Sequence, residues 1–148
     1  MALLEKQQTG IACEYYVAGE LSRLGYNVSL TFGSTKSIDL LVEKDDATMA
    51  IQVKGIQRTK SICWNFDKRK VKPNILYVLV NLHADKIDEK PEFFVLTSKE
   101  MIDNFRNTPS NGEKRTYLDY KRIKDILEFK NNWQKIDAVL NRKSSFAI

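Results

Sequence analysis

The chain has 148 residues, 43% of them apolar, and a formal net charge of +5 from 24 Lys and Arg against 19 Asp and Glu. That is enough apolar sequence for one packed core and too little chain to fill two, which points to a single domain over residues 1–148 and excludes global disorder. No run approaches the roughly 18 apolar residues needed to cross a bilayer. The apolar start Ala2-Leu3-Leu4 meets Glu5 and Lys6 at once, so a cytoplasmic location without membrane contact is expected.

Taken in chain order, residues 3–24 read as a helix, with Glu14, Val17, Leu21 and Leu24 on one stripe and Gly25 as its stop. Asn27–Phe32, Ser37–Glu43 and Thr48–Lys54 read as strands, the last two joined tightly through Lys44-Asp45-Asp46. Segment 55–74 is basic and reads as a strand extension or irregular excursion. Asn74–Leu82 is almost continuously apolar, as expected of a strand buried on both faces, and Glu92–Leu96 is another strand. Thr97 and Glu100 form a capping box opening a helix with Met101, Ile102 and Phe105. Asn107–Thr116 is a loop by composition. Residues 119 to about 141 read as one amphipathic helix with Ile126, Phe129, Trp133, Ile136 and Leu140 on its apolar stripe. This order implies a mixed α/β or α+β sandwich.

The chemistry available is narrow. His83 is the only histidine, which excludes sites built from several imidazoles within one chain, and its polar surroundings suggest a solvated side chain. Cys13 and Cys63 are too few for a disulfide scaffold and read as reduced, partly buried thiols. Carboxylates, amides, lysines and metals remain.

Glu14 falls on the apolar stripe of the first helix, where an unpaired carboxylate is costly. Either it serves a function, or the stripe is misphased by one position, or a nearby lysine neutralises the carboxylate. Asp39 interrupts the apolar run around Ile38 and Leu40-Leu41-Val42. Gln52 and Lys54 alternate with Ile51 and Val53, so they share a strand face. A hairpin around 44–47 would bring Asp39 near both. Carboxylate and amide oxygens suit Mg2+, which polarises a phosphate and activates water, and a lysine beside that water can orient it. An exposed polar strand face is the competing explanation. Glu20 and Glu43 are weaker acidic candidates.

Glu14, the Gly25-Tyr26 step, Ser37-Ile38-Asp39-Leu40-Leu41 and Ile51-Gln52-Val53-Lys54-Gly55 together resemble the signature of the PD-(D/E)XK nuclease superfamily. That superfamily includes archaeal Holliday-junction resolvases and Mrr-type restriction enzymes. The resemblance covers roughly residues 8–55. It implies an α/β fold with a restriction-endonuclease-like mixed β-sheet core flanked by helices, and a metal-dependent endonuclease acting on DNA. By the same resemblance Glu14, Asp39, Gln52 and Lys54 are catalytic, and Asp39, Gln52 and Glu14 bind Mg2+ or Mn2+. Gln52 stands where glutamate is commoner, a QxK variant that Mrr-like members share; a neutral oxygen attracts the cation less. The helix usual after the third strand is shortened or absent in 55–74.

Arg58, Lys60, Lys68, Arg69 and Lys70 flank the site and are candidates for DNA-backbone contact; a solvated loop is the alternative. Trp64 and Phe66 read as core rather than base-stacking residues, and Trp133 as core. Cutting both strands calls for two active sites, hence a homodimer. The rival expectation is a catalytically weak or inactive module of the same fold that binds nucleic acid or a protein partner.

Overall fold

The computed structural model describes residues 4–31, 38–57, 62–108 and 115–145, with side chains to residue 142. The elements are α1 (Lys6–Arg23), β1 (Asn27–Leu30), β2 (Leu40–Lys44), β3 (Ala47–Ile56), β4 (Cys63–Asn65), a 3-10 turn (Lys68–Lys70), β5 (Ile75–Asn81), β6 (Glu92–Leu96), α2 (Ser98–Asn104), β7 (Arg106–Asn107), β8 (Thr116–Asp119), α3 (Tyr120–Ile123) and α4 (Gln134–Ser145). Five strands form a mixed sheet in the order β1-β2-β3-β5-β6, and β4-β8-β7 form a second, smaller sheet. Only the β3–β5 pair of the large sheet is parallel. The expected mixed sheet with flanking helices is therefore what the chain builds.

The apolar run of β5 explains why the large sheet is covered twice. All seven of its residues are buried. Leu76, Val78 and Val80 join a core with Cys13, Val17 and Leu21 of α1 and with Ile136 and Leu140 of α4. Ile75, Tyr77 and Leu79 face a second core with Trp64, Phe94, Met101, Leu118, Tyr120 and Phe129. Trp64 is sealed there, its indole N–H donating to the Val80 carbonyl at 3.1 Å, so Trp64 and Phe66 are core residues.

Local signals in the sequence act as expected where they are short-range. Asp45 and Asp46 both take positive φ (52° and 65°) between paired Lys44 and Ala47, which closes the two-residue β2–β3 hairpin. Gly25, at φ 97°, ends α1 with the Gly25 N–H on the Ser22 carbonyl and the Tyr26 N–H on that of Leu21. The Thr97–Glu100 capping box is formed. Thr97→Ala should cost about 1 kcal/mol in chemical denaturation, and Thr97→Ser much less; equal stability of the two variants would mean that the cap contributes nothing.

Three expectations need correction. The buried stripe of α1 is Thr9, Cys13, Val17 and Leu21, with Leu24 exposed, so Glu14 sits half-buried at the border of the stripe. The helix expected over 119–141 is broken. Between α3 and α4 the chain crosses the outer edge of β6: the Val95 N–H donates to Phe129, and the Asn131 N–H to Phe93. Asn131 turns the chain at φ 52°. The periodic apolar residues are satisfied by two different cores, Phe129 in one and Trp133, Ile136 and Leu140 in the other. Last, His83 is buried rather than solvated. Its Nε2 makes a 2.7 Å hydrogen bond with Glu92 Oε1, which offsets part of the desolvation, while its Nδ1, 3.2 Å from Glu89 Oε2, has no hydrogen-bond partner among the described residues.

The segment after β3 contains, among its described residues, a short strand and a 3-10 turn and no α-helix. The 107–116 loop is flanked by the paired β7 and β8, while its residues 109–114 lie outside those described. Among the described residues no helix is long and apolar enough to cross a membrane.

Candidate active site

The site begins where the β2–β3 ladder ends. Asp39 immediately precedes β2, and its backbone is held on both sides: its N–H donates to the Ile51 carbonyl at 3.0 Å and its carbonyl accepts from the Thr31 N–H at 3.0 Å. Its side chain then takes over a ladder bond, with Oδ2 accepting from the Val53 N–H at 2.7 Å. A backbone donor that the diverging strand leaves without a carbonyl is thus satisfied by a carboxylate. The result is an acidic group pinned beside Gln52 and Lys54, as the hairpin expectation required.

Alternation along β3 sends Ile51 and Val53 into the α1-side core and leaves Gln52 and Lys54 on the other face. Gln52 is buried, and among the described residues its Oε1 has no hydrogen-bond partner. Lys54 is half-buried, with Nζ 5.2 Å from the Phe66 ring centre. Burial holds its ammonium below the usual lysine range; Asp39 opposes that shift, and Lys6 and Lys70 add to it.

Glu14 reaches this group because α1 packs tightly on β3. Burial, then the Asp39 charge and a hydrogen bond with Asp39, push the Glu14 carboxyl from its ordinary 4.5 up to about 7. Two carboxyls this close resist simultaneous ionisation. A raised folded-state value means that the fold favours protonated Glu14, so the destabilising contribution of this one group is absent at acid pH and grows as pH rises towards about 7. Glu14→Gln, neutral throughout, should therefore melt higher than wild type at about pH 8 without divalent metal and level with it at about pH 4. Solvent contact will reduce the gain below the full linkage value. No gain at the higher pH would mean that the two carboxyls do not oppose each other.

Among the described residues no three of His, Cys, Asp and Glu lie together in metal-binding fashion. A cation here would be held by the two carboxylates and the Gln52 amide oxygen. These are hard oxygen donors, matched to Mg2+ or Mn2+ rather than to softer metals. The orphaned Gln52 oxygen fits that use, since a buried acceptor left unmade costs about 1–3 kcal/mol.

The other candidates separate. Lys68 and Lys70 are exposed on the 3-10 turn. Arg69 beside them is engaged by Asp67, at 3.1 Å (Nε) and 2.9 Å (Nη2). Arg58 and Lys60 lie outside the described residues. Glu20 pairs with Arg23 at 2.5 Å, and Glu43 is exposed near the hairpin turn. Lys6 is a neighbour of the site that the sequence does not single out: at the first position of a helix it carries no pattern that distinguishes it from any surface lysine.

No family model matches the chain, and no curated protein matches it by sequence. Solved structures do. A bacterial homing endonuclease, I-Ssp6803I, superposes with a TM-score of 0.69 at 13% identity, covering 98% of this chain and 100% of that one. The Holliday junction resolvase Hjc of Archaeoglobus fulgidus superposes with a TM-score of 0.50 at 14% identity, covering 78% of this chain and 87% of that one. The chain has a nuclease-type fold. At these identities the likeness is one of architecture.

Proposed function

We propose that the chain is a Mg2+- or Mn2+-dependent endonuclease of the PD-(D/E)XK type that hydrolyses phosphodiester bonds in DNA through Glu14, Asp39, Gln52 and Lys54. The observation that carries this reading is the meeting of Asp39 with Glu14 and Lys54 at the end of the β2–β3 ladder, beside the unpartnered oxygen of Gln52. The homing endonuclease and the resolvase support it at the level of fold.

Asp39, Glu14 and Gln52 would hold the cation, which when bound would polarise the scissile phosphate and acidify a water. Asp39, fixed through hydrogen bonds to its backbone and its carboxylate, supplies a charge that does not need to reorganise. Lys54 projects its ammonium from the same strand as Gln52 and orients the attacking water while balancing charge that develops on phosphorus. Its half-burial beside Phe66 restricts the directions it can take. Lys68 and Lys70 would meet the DNA backbone; Arg69, engaged by Asp67, contributes less. Two sites for two strands imply a homodimer.

The test is cleavage of plasmid and oligonucleotide DNA in Mg2+ or Mn2+, with and without chelator. Metal-dependent nicking or cutting supports the enzyme. Binding of DNA without cleavage would replace it by the non-catalytic module, for which the neutral Gln52 is the reason to keep that second reading in view.

A further inference from the structure

The small sheet turns one face to the core and the other to solvent. Trp64 and Leu118, cross-strand partners in β4 and β8, are both buried. Phe105, just before β7, stacks on buried Phe66 with ring centres 6.0 Å apart. Alternation therefore puts Asn65, Tyr117 and Arg106 on the outer face. The register sets them in one row, with Asn65 paired to Tyr117 and Tyr117 to Arg106. Arg115 extends that face, its carbonyl accepting from the Thr108 N–H at 2.9 Å just beyond the ladder. Asn65, Arg106 and Arg115 are exposed, and Tyr117 is half-buried.

The positive charge of this face is uncompensated. Arg106 and Arg115 make no ion pair with a carboxylate within 4 Å among the described residues. Asp119, which alternation places on the same face, is taken up in capping α3, where it accepts from the Lys121 N–H at 3.1 Å. The 3-10 turn with exposed Lys68 and Lys70 is fastened to this sheet: the Lys68 N–H donates to Thr116 Oγ1 at 2.8 Å, and the Thr116 hydroxyl donates to the Phe66 carbonyl. The Phe66 ring in turn lies under the Lys54 ammonium, its centre 5.2 Å from Nζ. A chain of direct contacts thus ties the basic face to the candidate active site. Arg106 stands two strands from β4, about 10 Å, or about three base pairs of duplex rise.

We infer that the outer face of the β4-β8-β7 sheet, through Arg106 and Arg115, binds backbone phosphates of duplex DNA a few base pairs from the point of cleavage. This deepens the nuclease reading and rests on it for the choice of partner. Complementarity of charge selects that partner: two arginines on a paired ribbon, with no acid of their own, match the phosphates of a duplex. Guanidinium donors suit phosphate oxygens. The contact is with the backbone, so its contribution is uniform over sequence and sensitive to salt.

The test is anisotropy of a fluorescein-labelled duplex across a salt series in chelator, with cleavage of the same duplex in Mg2+ or Mn2+ measured alongside. Arg106→Ala and Arg115→Ala should each lower the slope of log affinity against log salt by about one, and the double variant by about two, equally for unrelated sequences. Arg106→Lys should keep the wild-type slope. The control is Arg23→Ala, which removes an exposed charge from the helix covering the opposite face of the large sheet and should leave the slope unchanged. Melting points equal to wild type are expected for these exposed positions. A wild type that binds no duplex, arginine variants that keep the wild-type slope, or an equal loss in Arg23→Ala would each overturn the surface; the arginines would then serve only to keep an exposed strand edge from pairing. The cleavage arm decides the nuclease reading separately. Cutting by variants of unchanged slope leaves that reading standing without this surface, whereas arginine-dependent binding without cutting keeps the surface and assigns it to the non-catalytic module.

Discussion

Asp39→Asn should abolish metal-dependent DNA cleavage, by on the order of a thousandfold or more, in a protein that is no less stable than wild type. The two halves of this expectation have different causes. Cleavage fails because one of only two carboxylates is lost from a site whose third oxygen is already neutral, and several kcal/mol of charge stabilisation go with it. Stability survives because the asparagine oxygen can still accept from the Val53 N–H that Asp39 accepts from at 2.7 Å, and because Glu14 loses a like charge beside it. Asp39→Ala would be as inactive, but it leaves that N–H without its acceptor and should lose about 1–3 kcal/mol of stability as well. Lys54→Met completes the set. It keeps the apolar stem near Phe66 and removes only the ammonium, with an expected loss in rate of about a hundredfold or more. Asparagine or methionine variants that cut DNA as fast as wild type would rule out this site as the catalytic one.

Gly55→Ala should destabilise the protein by about 2–3 kcal/mol and lower its melting point by about 5–10 °C. A Cβ at Gly55 would stand 2.3 Å from Cys13 Sγ and 3.3 Å from Cys13 Cβ. Cys13 is fully buried on α1, so the sulfur has no free direction in which to retreat. The helix would have to rise from β3, carrying Glu14, the next residue along, away from Asp39. Activity should therefore fall along with stability. Combining Gly55→Ala with Cys13→Ala removes the sulfur and leaves a tight but tolerable 3.3 Å contact, so the double variant should regain most of the lost stability. If Cys13→Ala gives no rescue in the denaturation cycle, the helix–strand approach is not what Gly55 provides.

Much of the architecture is legible in the sequence, for reasons of short range. The period of two in Gln52–Lys54, the polar pair Asp45-Asp46, Gly25 after a helix and the Thr97–Glu100 box each act within a few residues, and each forms where its residues stand. The apolar run ending in Leu82 announces a strand covered on both sides. The break after α3 is hidden because a helical period in Ile126, Phe129, Trp133 and Ile136 is also what a chain shows when its residues enter two cores in turn. Strands of two to four residues, such as β4, β7 and β8, are too short to carry a period at all. His83 has polar neighbours in sequence and so reads as solvated, whereas its environment is set by Glu89 and Glu92 folding back over it.

For the candidate site the division is sharper. The sequence by itself determined the inventory, two carboxylates, an amide and a lysine, and which of them share a strand face, because alternation along an extended chain is a local property. Only the tertiary structure decided that Asp39 closes the end of a ladder on Val53, that Gln52 keeps an unused oxygen in the interior, and that Glu14 arrives at the same place from a helix. Those are distances between segments far apart in the chain. They are set by how closely α1 can approach β3, which a glycine without a side chain allows.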